Sequence, residues 1–171
     1  MRMNDEMRRA GAEAFALLQA RGEHVSFAES LTGGWIAATL VENSGASAVL
    51  NESYVTYASE SKMRILGVAR ETVEREGVVS ARCAREMAAG VRRISGADWG
   101  VSATGLAGPE GGTAQTPVGT VFIGVAGPDG PQALEFHFQG DRAQVRAQAV
   151  QAAFEALCGA MRATGRNGRT D

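Results

Sequence analysis

The sequence is poor in lysine, cysteine, histidine and proline. Of 17 basic residues only Lys62 is a lysine, and the 171 residues include two cysteines, two histidines and four prolines. Cys83 and Cys158 lie far apart and lack the CxxC or histidine-paired spacing of a metal site. We therefore interpret both as buried small apolar residues, and we predict no metal and no cofactor.

The sequence also lacks a long hydrophobic run and an excess of charge. Residues 1–22 mix acidic and basic side chains, which excludes a signal peptide and a membrane span, so we expect a cytoplasmic protein without a membrane partner. The net charge of −2 and the pI near 5.8 lack the basic excess of a typical nucleic-acid binder. Nucleic acid is therefore not an expected partner, whereas the oligomeric state stays open, with a homo-oligomer among the options.

What the sequence does contain is typical of one globular domain, with 44% hydrophobic and 21% charged residues. Periodicity predicts helices at 4–21, 35–41, 59–66, 71–76, 80–94 and 142–162, and strands at 24–28, 49–58, 99–104, 119–126 and 132–138. The expected helix caps are Asn4 or Asp5, Ser59, Ser80 and Asp141. This order predicts an α/β fold, a three-layer α/β/α sandwich with a mixed sheet of five or six strands. We expect a single domain over residues 1–163 and a disordered polar tail over residues 164–171.

Three polar segments follow strand ends, at 29–34, 54–62 and 104–117. Ligands of such folds bind beyond the carboxyl ends of the strands, so the three segments are expected to form one site. In the first, ESLTGG, two glycines allow close backbone approach, and the next helix offers N–H groups that can hold an oxyanion or a phosphate. The same pattern is also typical of a plain helix cap with a tight bend.

Lys62 and Ser30 are the candidate reactive pair. A desolvated lysine can lose its proton and act as a base, whereas an arginine cannot, and a serine nucleophile needs such a base. His24 begins a strand at the far end and His137 alternates outward, so neither is a suitable partner. The economical hypothesis has Ser30 attacking, Lys62 as base, and the Tyr57 hydroxyl relaying the proton or orienting the amine. The alternative is a packed Tyr57 and a solvated Lys62.

Two further features indicate a ligand. The loop at 104–117 is rich in glycine and long for an idle connection, although surface connections share that composition. Arg142 falls in the first turn of the last helix, where a cation opposes the helix dipole, and an arginine there is better explained by a bound anion such as a phosphate.

The ordered motifs AESLTGG, SYVTYASESK, GVVS, ATGLAGPEGG, TPVGTVFIGVA and FQGDR resemble the C-terminal amidase domain of the competence/damage-inducible CinA family, from about Val25 to Ala160. The resemblance implies an α/β/α sandwich that hydrolyses nicotinamide mononucleotide to nicotinic acid mononucleotide and ammonia, without a metal, in pyridine nucleotide recycling. It implies Ser30 as nucleophile, Lys62 as base, and Tyr57 and Thr104 as supporting groups. The residues expected to bind the nucleotide are Glu29, Thr32, Gly33, Gly34, Ser47, Gly105, Gly108 and Arg142.

The sequence departs from the family at Glu110 and Gln115, where relatives often carry glycine or a basic residue, and an acid there could weaken phosphate binding. The N-terminal nucleotide-hydrolase domain of longer relatives is missing, which suggests a stand-alone amidase. Other readings stay open: direct attack by water with Ser30 and Thr32 on the phosphate, action on a different small carboxamide, or a nonenzymatic pyridine-nucleotide-binding protein. A role in DNA uptake or repair is disfavoured by the acidic pI.

Overall fold

The computed structural model describes residues 4–166, in which helices and strands interleave as the sequence predicts. The helices are α1 (Asp5–Arg21), α2 (Trp35–Val41), α3 (Ser59–Leu66), α4 (Arg70–Arg75), α5 (Ala81–Ser95) and α6 (Arg142–Arg166), with a short 3-10 helix at Ala46–Ala48. The strands are β1 (Val25–Glu29), β2 (Leu50–Val55), β3 (Trp99–Gly105), β4 (Thr120–Gly127) and β5 (Gly130–His137).

The five strands form one mixed sheet in the order β2-β1-β3-β4-β5. β2 and β3 both pair with β1 in parallel, whereas β3, β4 and β5 pair antiparallel. Glu29, the last residue of β1, stands opposite Val55 on one side and Ala103 on the other. The carboxyl ends of β1, β2 and β3 therefore share one edge of the sheet, and the predicted mixed sheet is confirmed.

Helices cover both faces of the sheet, which confirms the three-layer prediction. One face packs against α1, α2 and α6 through large apolar side chains, among them Phe27 and Phe154, whose rings meet edge to face at 6.1 Å. The other face packs against α5, which also contacts α3 and α4. Burial of both sheet faces explains why β1, β3 and β4 lack the alternation of a half-exposed strand.

Small residues let α5 lie very close to the second face of the sheet. A Cβ atom at Gly100 would stand 2.2 Å from the Ala88 carbonyl oxygen, and one at Gly124 would stand 2.2 Å from that of Ala84. On α5 itself, a Cβ at Gly90 would stand 2.0 Å from the carbonyl oxygen of Leu66, at the end of α3. These glycines thereby fix α3, the helix that carries Lys62, against α5 and the sheet.

Local capping follows the sequence at three helices and differs at a fourth. The side chain of Asn4 caps α1, that of Ser80 caps α5, and Asp141 caps α6 by accepting the Gln144 N–H at 2.9 Å. Ser59 was expected to cap α3, but the cap position belongs to Ala58, and Ser59 is the first helical residue. The extended backbone of Ala58 starts the helix without a side-chain hydrogen bond.

The last helix is longer than predicted. The Thr164 hydroxyl bonds the Ala160 carbonyl and the Asp129 carboxylate, both at 3.1 Å, and α6 continues to Arg166. The first part of the expected disordered tail is therefore helical, and residues 167–171 lie outside the described part. Although α6 has 25 residues, none of the helices described between residues 4 and 166 combines the length and the apolarity needed to cross a membrane.

Candidate active site

Three chain segments meet at the carboxyl edge of the parallel strands, joined by arginines from α6. Ser30 follows β1 directly, and its N–H donates to the Ala103 carbonyl of β3 at 3.0 Å. Thr56 follows β2, and its N–H donates to the Glu29 carbonyl at 2.9 Å, which extends the ladder beyond both strands. The expected convergence of polar segments is thus present in the fold.

Lys62 and Ser30 are in direct contact. The Lys62 Nζ atom lies 3.1 Å from Ser30 Oγ, 2.6 Å from the Thr56 carbonyl oxygen and 3.2 Å from the Tyr57 carbonyl oxygen. A neutral amine carries two N–H bonds and one lone pair. If the two carbonyls accept both N–H groups, the lone pair is left to face the hydroxyl of Ser30.

Burial makes this neutral form of Lys62 easier to reach than it is for a solvated lysine. Its side chain is only 1% exposed, and burial lowers the pKa of the ammonium below its ordinary value. Nearby, burial raises the pKa of the Cys83 thiol to about 11, so the cysteine stays protonated at neutral pH. Cys83 therefore is no nucleophile, and the buried cysteines fit their expected role as small apolar residues.

The Tyr57 hydroxyl does not take the role predicted for it. Its side chain is 62% exposed, and the hydroxyl accepts a hydrogen bond from Arg142 Nη2 at 3.2 Å rather than contacting the amine of Lys62. The backbone carbonyl of Tyr57 orients the amine instead. The sequence could not reveal this difference because it depends on the direction in which the ring leaves the chain.

The Glu29 carboxylate holds the start of α2, next to the Ser30 turn, by which we mean residues 30–34. This fully buried carboxylate accepts the backbone N–H groups of Gly34 at 2.9 Å, Ile36 at 3.1 Å and Ala37 at 3.0 Å. The amino end of α2 was expected to hold an oxyanion or a phosphate, but the protein's own carboxylate occupies it. The Glu29 carboxylate and the Gly34 N–H thus bond each other, and neither is free for a substrate in this structure.

Arg146, which is not among the residues predicted from the sequence, holds the outer side of the Ser30 turn. Its Nε atom donates to the Leu31 carbonyl at 2.8 Å and its Nη2 atom to the Thr32 carbonyl at 3.0 Å. The guanidinium also stacks 3.7 Å from the centroid of the Trp35 ring. Its position one helical turn after Arg142 was the available signal, since residues four apart share a helix face.

Gly33 and Thr32 fit this arrangement. Gly33 has a left-handed φ of +59°, and a Cβ atom there would lie 3.3 Å from Arg146 Nη2, so glycine suits both the turn and the close approach. The Thr32 side chain is fully buried, and its hydroxyl has no hydrogen-bond partner among residues 4–166. The buried Thr32 thus shapes the turn from within, whereas Gly33 lies on its exposed side.

Thr104 and Gly105 end β3 beside the Ser30 turn. The buried Thr104 hydroxyl donates to the Val78 carbonyl at 2.7 Å and ties the GVVS segment to the sheet. The Leu106 N–H donates across the ladder to the Thr120 carbonyl of β4, whereas the Ala103 carbonyl faces Ser30. Because N–H directions alternate along a strand, the Gly105 N–H is directed to the Ser30 side.

Arg142 joins the glycine-rich loop to Tyr57. Its Nη1 atom donates to the Gly108 carbonyl at 2.9 Å, while Nη2 reaches the Tyr57 hydroxyl. Gly108 has a left-handed φ of +77°, which glycine adopts without strain. Burial and the neighbouring charge of Arg142 both lower the pKa of Arg146. Arg142 thus places positive charge at the mouth of the site, beside the exposed Tyr57 ring, whereas the guanidinium of Arg146 contacts the Ser30 turn.

Ser47 and the two histidines lie away from Ser30. Ser47 was expected near the site, but it precedes β2, which runs toward the site over a length of about 20 Å, so Ser47 lies at the opposite edge of the sheet. His24 precedes β1 at that same far edge, where its N–H donates to Asp98 at 2.7 Å. The His137 ring, on β5, contacts Glu135 and Thr120. In the described residues, no three His, Cys, Asp or Glu side chains cluster as metal ligands would.

Comparison with known proteins identifies the family. Residues 8–161 match the model of the CinA C-terminal domain. A CinA-like protein of Anaeromyxobacter sp. (strain K) is 51% identical over 142 residues, which are 83% of this chain and 34% of that protein. A CinA-like protein of Fervidobacterium nodosum is 43% identical over 143 residues, or 84% of this chain and 35% of that protein. The chain therefore spans about a third of the length of these curated relatives.

Solved structures agree in fold. The competence/damage inducible protein CihA from Agrobacterium tumefaciens superposes with a TM-score of 0.89 at 35% identity, covering 93% of this chain and 98% of that one. A CinA superfamily protein from Klebsiella pneumoniae gives a TM-score of 0.87 at 35% identity, covering 91% and 97%. By family model, by sequence identity and by fold, this chain belongs to the CinA family.

Proposed function

We propose that this protein is an amidohydrolase that converts nicotinamide mononucleotide to nicotinic acid mononucleotide and ammonia, with Ser30 as nucleophile and Lys62 as general base. The observation that carries the proposal is the 3.1 Å contact between Lys62 Nζ and Ser30 Oγ, made by a buried amine whose other two partners are backbone carbonyls. The proposed substrate follows from the resemblance to the CinA amidase domain, and the geometry supports a serine nucleophile with a lysine base.

In the first half of the reaction, Ser30 Oγ attacks the carboxamide carbon while its proton passes to Lys62 Nζ. The resulting ammonium then gives that proton to the leaving nitrogen, ammonia departs, and a nicotinoyl ester remains on Ser30. In the second half, Lys62 takes a proton from water, the hydroxide attacks the ester, and the carboxylate product leaves as Ser30 regains its proton. The base needs no side-chain orienter because the Thr56 and Tyr57 carbonyls fix its direction.

The oxyanion of the tetrahedral intermediate needs N–H donors near Ser30 Oγ. The Gly34 N–H is engaged by Glu29, which removes one of the donors expected from the sequence. The Gly105 N–H is the better candidate because strand parity directs it toward the Ser30 side of β3. Backbone donors of this kind lower the barrier most when they are rigid, as they are at the end of a central strand.

The nucleotide phosphate is assigned to Arg142. The amino end of α2 is filled by the Glu29 carboxylate, so the phosphate depends on positive side chains at the mouth of the site. Arg142 lies there beside the exposed Tyr57 ring, and its planar fork suits a phosphate. The occupied helix terminus also argues against the alternative in which Ser30, Thr32 and the glycines hold the phosphate and water attacks directly.

Release of ammonia from nicotinamide mononucleotide, compared with nicotinamide riboside and nicotinamide, tests the proposal. Mass spectrometry of quenched reactions should detect a nicotinoyl-mononucleotide adduct on Ser30, and Ser30→Ala should abolish both adduct and turnover. Binding without ammonia release would overturn the amidase assignment in favour of a nucleotide-binding protein, and release from another carboxamide alone would overturn the substrate. Turnover by Ser30→Ala would point to direct attack by water.

A further inference from the structure

Arg146 stands outside the reaction just described, yet it contacts the turn that carries the nucleophile. Its two hydrogen bonds go to the carbonyls of Leu31 and Thr32, the two residues after Ser30. Those bonds join α6 to the β1–α2 connection across 115 and 114 residues of sequence. The guanidinium also stacks on the Trp35 ring, 3.7 Å from its centroid, which restricts rotation of the Arg146 side chain.

The Ser30 turn is held from two sides by groups of opposite charge. Glu29 accepts the N–H groups at the start of α2, and Arg146 donates to the carbonyls on the outer side. Within the turn, the Gly33 N–H donates to the Ser30 carbonyl at 3.1 Å, so movement of residues 31–33 is passed directly to Ser30. Arg146 therefore limits where Ser30 Oγ can lie relative to Lys62.

We infer that Arg146, clamped on Trp35, is a positioning residue that holds the Ser30 hydroxyl within reach of the Lys62 amine. The inference rests on the proposed function for its catalytic meaning. It separates two adjacent arginines by role: Arg142 faces the substrate phosphate, whereas Arg146 acts only through the Ser30 turn. A residue of this kind should affect the chemical step and leave substrate binding nearly unchanged.

Arg146→Met tests the inference, because methionine keeps an apolar stem on Trp35 and removes both donors. We expect kcat for ammonia release to fall about 10- to 100-fold with KM within about threefold, since a displacement of about 1 Å is worth that much in rate. Arg146→Lys, with one flexible donor group, should recover part of the loss. Arg162→Met is the matched control on the same helix, since Arg162 pairs with Glu13 at the surface, and its kcat should stay unchanged.

A second readout does not depend on turnover. Lys62 is the only lysine, so protein labelled with ¹³C-lysine gives one side-chain signal. That signal should shift in Arg146→Met and stay in place in Arg162→Met. An unchanged kcat in Arg146→Met, or a loss that lies in KM, would overturn the inference while the proposed function stands. Wild-type protein that releases no ammonia would instead overturn the proposed function and, with it, the catalytic role of Arg146. Thermal melting checks that each variant is folded.

Discussion

The two sides of the Ser30 turn each bury one ionisable side chain, and the two side chains have different roles. On the α2 side, Glu29 is fully buried and accepts three backbone N–H groups and the hydroxyl of Ser53. On the α3 side, Lys62 is 1% exposed and contacts two carbonyls and the hydroxyl of Ser30. Burial alone does not separate the two roles. The partners do, because three backbone N–H groups hold the carboxylate of Glu29, whereas the amine of Lys62 contacts the hydroxyl of the candidate nucleophile, Ser30.

Replacing Lys62 should give the largest effect on activity. Lys62→Met removes the base, and we expect kcat to fall about 10⁴-fold or more, as for other members of a catalytic pair. The free energy of unfolding should stay the same or rise, because methionine fills the space without burying a charge. Lys62→Arg should be equally inactive, since a guanidinium keeps its proton. Ammonia release measures the effect on activity, and urea unfolding measures the effect on stability. Near-normal turnover by Lys62→Arg would show that Lys62 is not the base.

Replacing Glu29, in contrast, should mainly lower the free energy of unfolding. In Glu29→Gln the amide presents N–H groups to backbone N–H groups and the amino end of α2 loses its negative charge, so we expect the free energy of unfolding to fall by about 3 kcal/mol. Urea unfolding at neutral pH measures the change. Glu42→Gln is the control, because Glu42 pairs with Arg8 at the surface and the unfolding midpoint should stay in place. A folded, fully stable Glu29→Gln would show that the carboxylate is not needed to hold the turn.

The pH dependence of kcat/KM and of stability gives a further test of the role of Lys62. Burial lowers the pKa of Lys62 from its ordinary value of 10.5, so kcat/KM should rise with pH through that lowered pKa as the amine becomes neutral. In the window between the lowered pKa and 10.5 the unfolded chain binds more protons, so the contribution of Lys62 to stability should rise with pH there. The signal of the single ¹³C-lysine gives this pKa directly. A midpoint at or above 10.5 would contradict Lys62 as the base.

The sequence predicts this site in part. The solitary lysine, the serine at a strand end and the lack of a suitable histidine pointed to Ser30 and Lys62, because residue type and strand order are readable from the chain. Caps such as Asn4, Ser80 and Asp141 were predictable because their hydrogen bonds span three residues. The sheet followed from the order of helices and strands.

The remaining features depend on geometry that residue order does not contain. The ESLTGG motif indicates an anion at a helix terminus, and only the fold reveals that the anion is Glu29 itself. The contact between Arg146 and Leu31 spans 115 residues, and no local pattern records it. Ser47 was misplaced because the direction of β2 decides at which edge of the sheet its preceding residues lie.

The smallest expected effect concerns the fourth partner of Glu29. The Ser53 hydroxyl reaches Glu29 Oε1 at 3.3 Å, a long hydrogen bond from an exposed residue, so Ser53→Ala should lower the free energy of unfolding by only about 0.5 kcal/mol and leave kcat unchanged. Because the two side chains are in contact, their effects should not add: in a Glu29→Gln background, Ser53→Ala should cost nothing further. Urea unfolding of the four proteins measures the coupling. Full additivity would mean that the three backbone N–H groups alone hold the carboxylate. Ser53 of β2 would then not help to hold the α2 side of the turn.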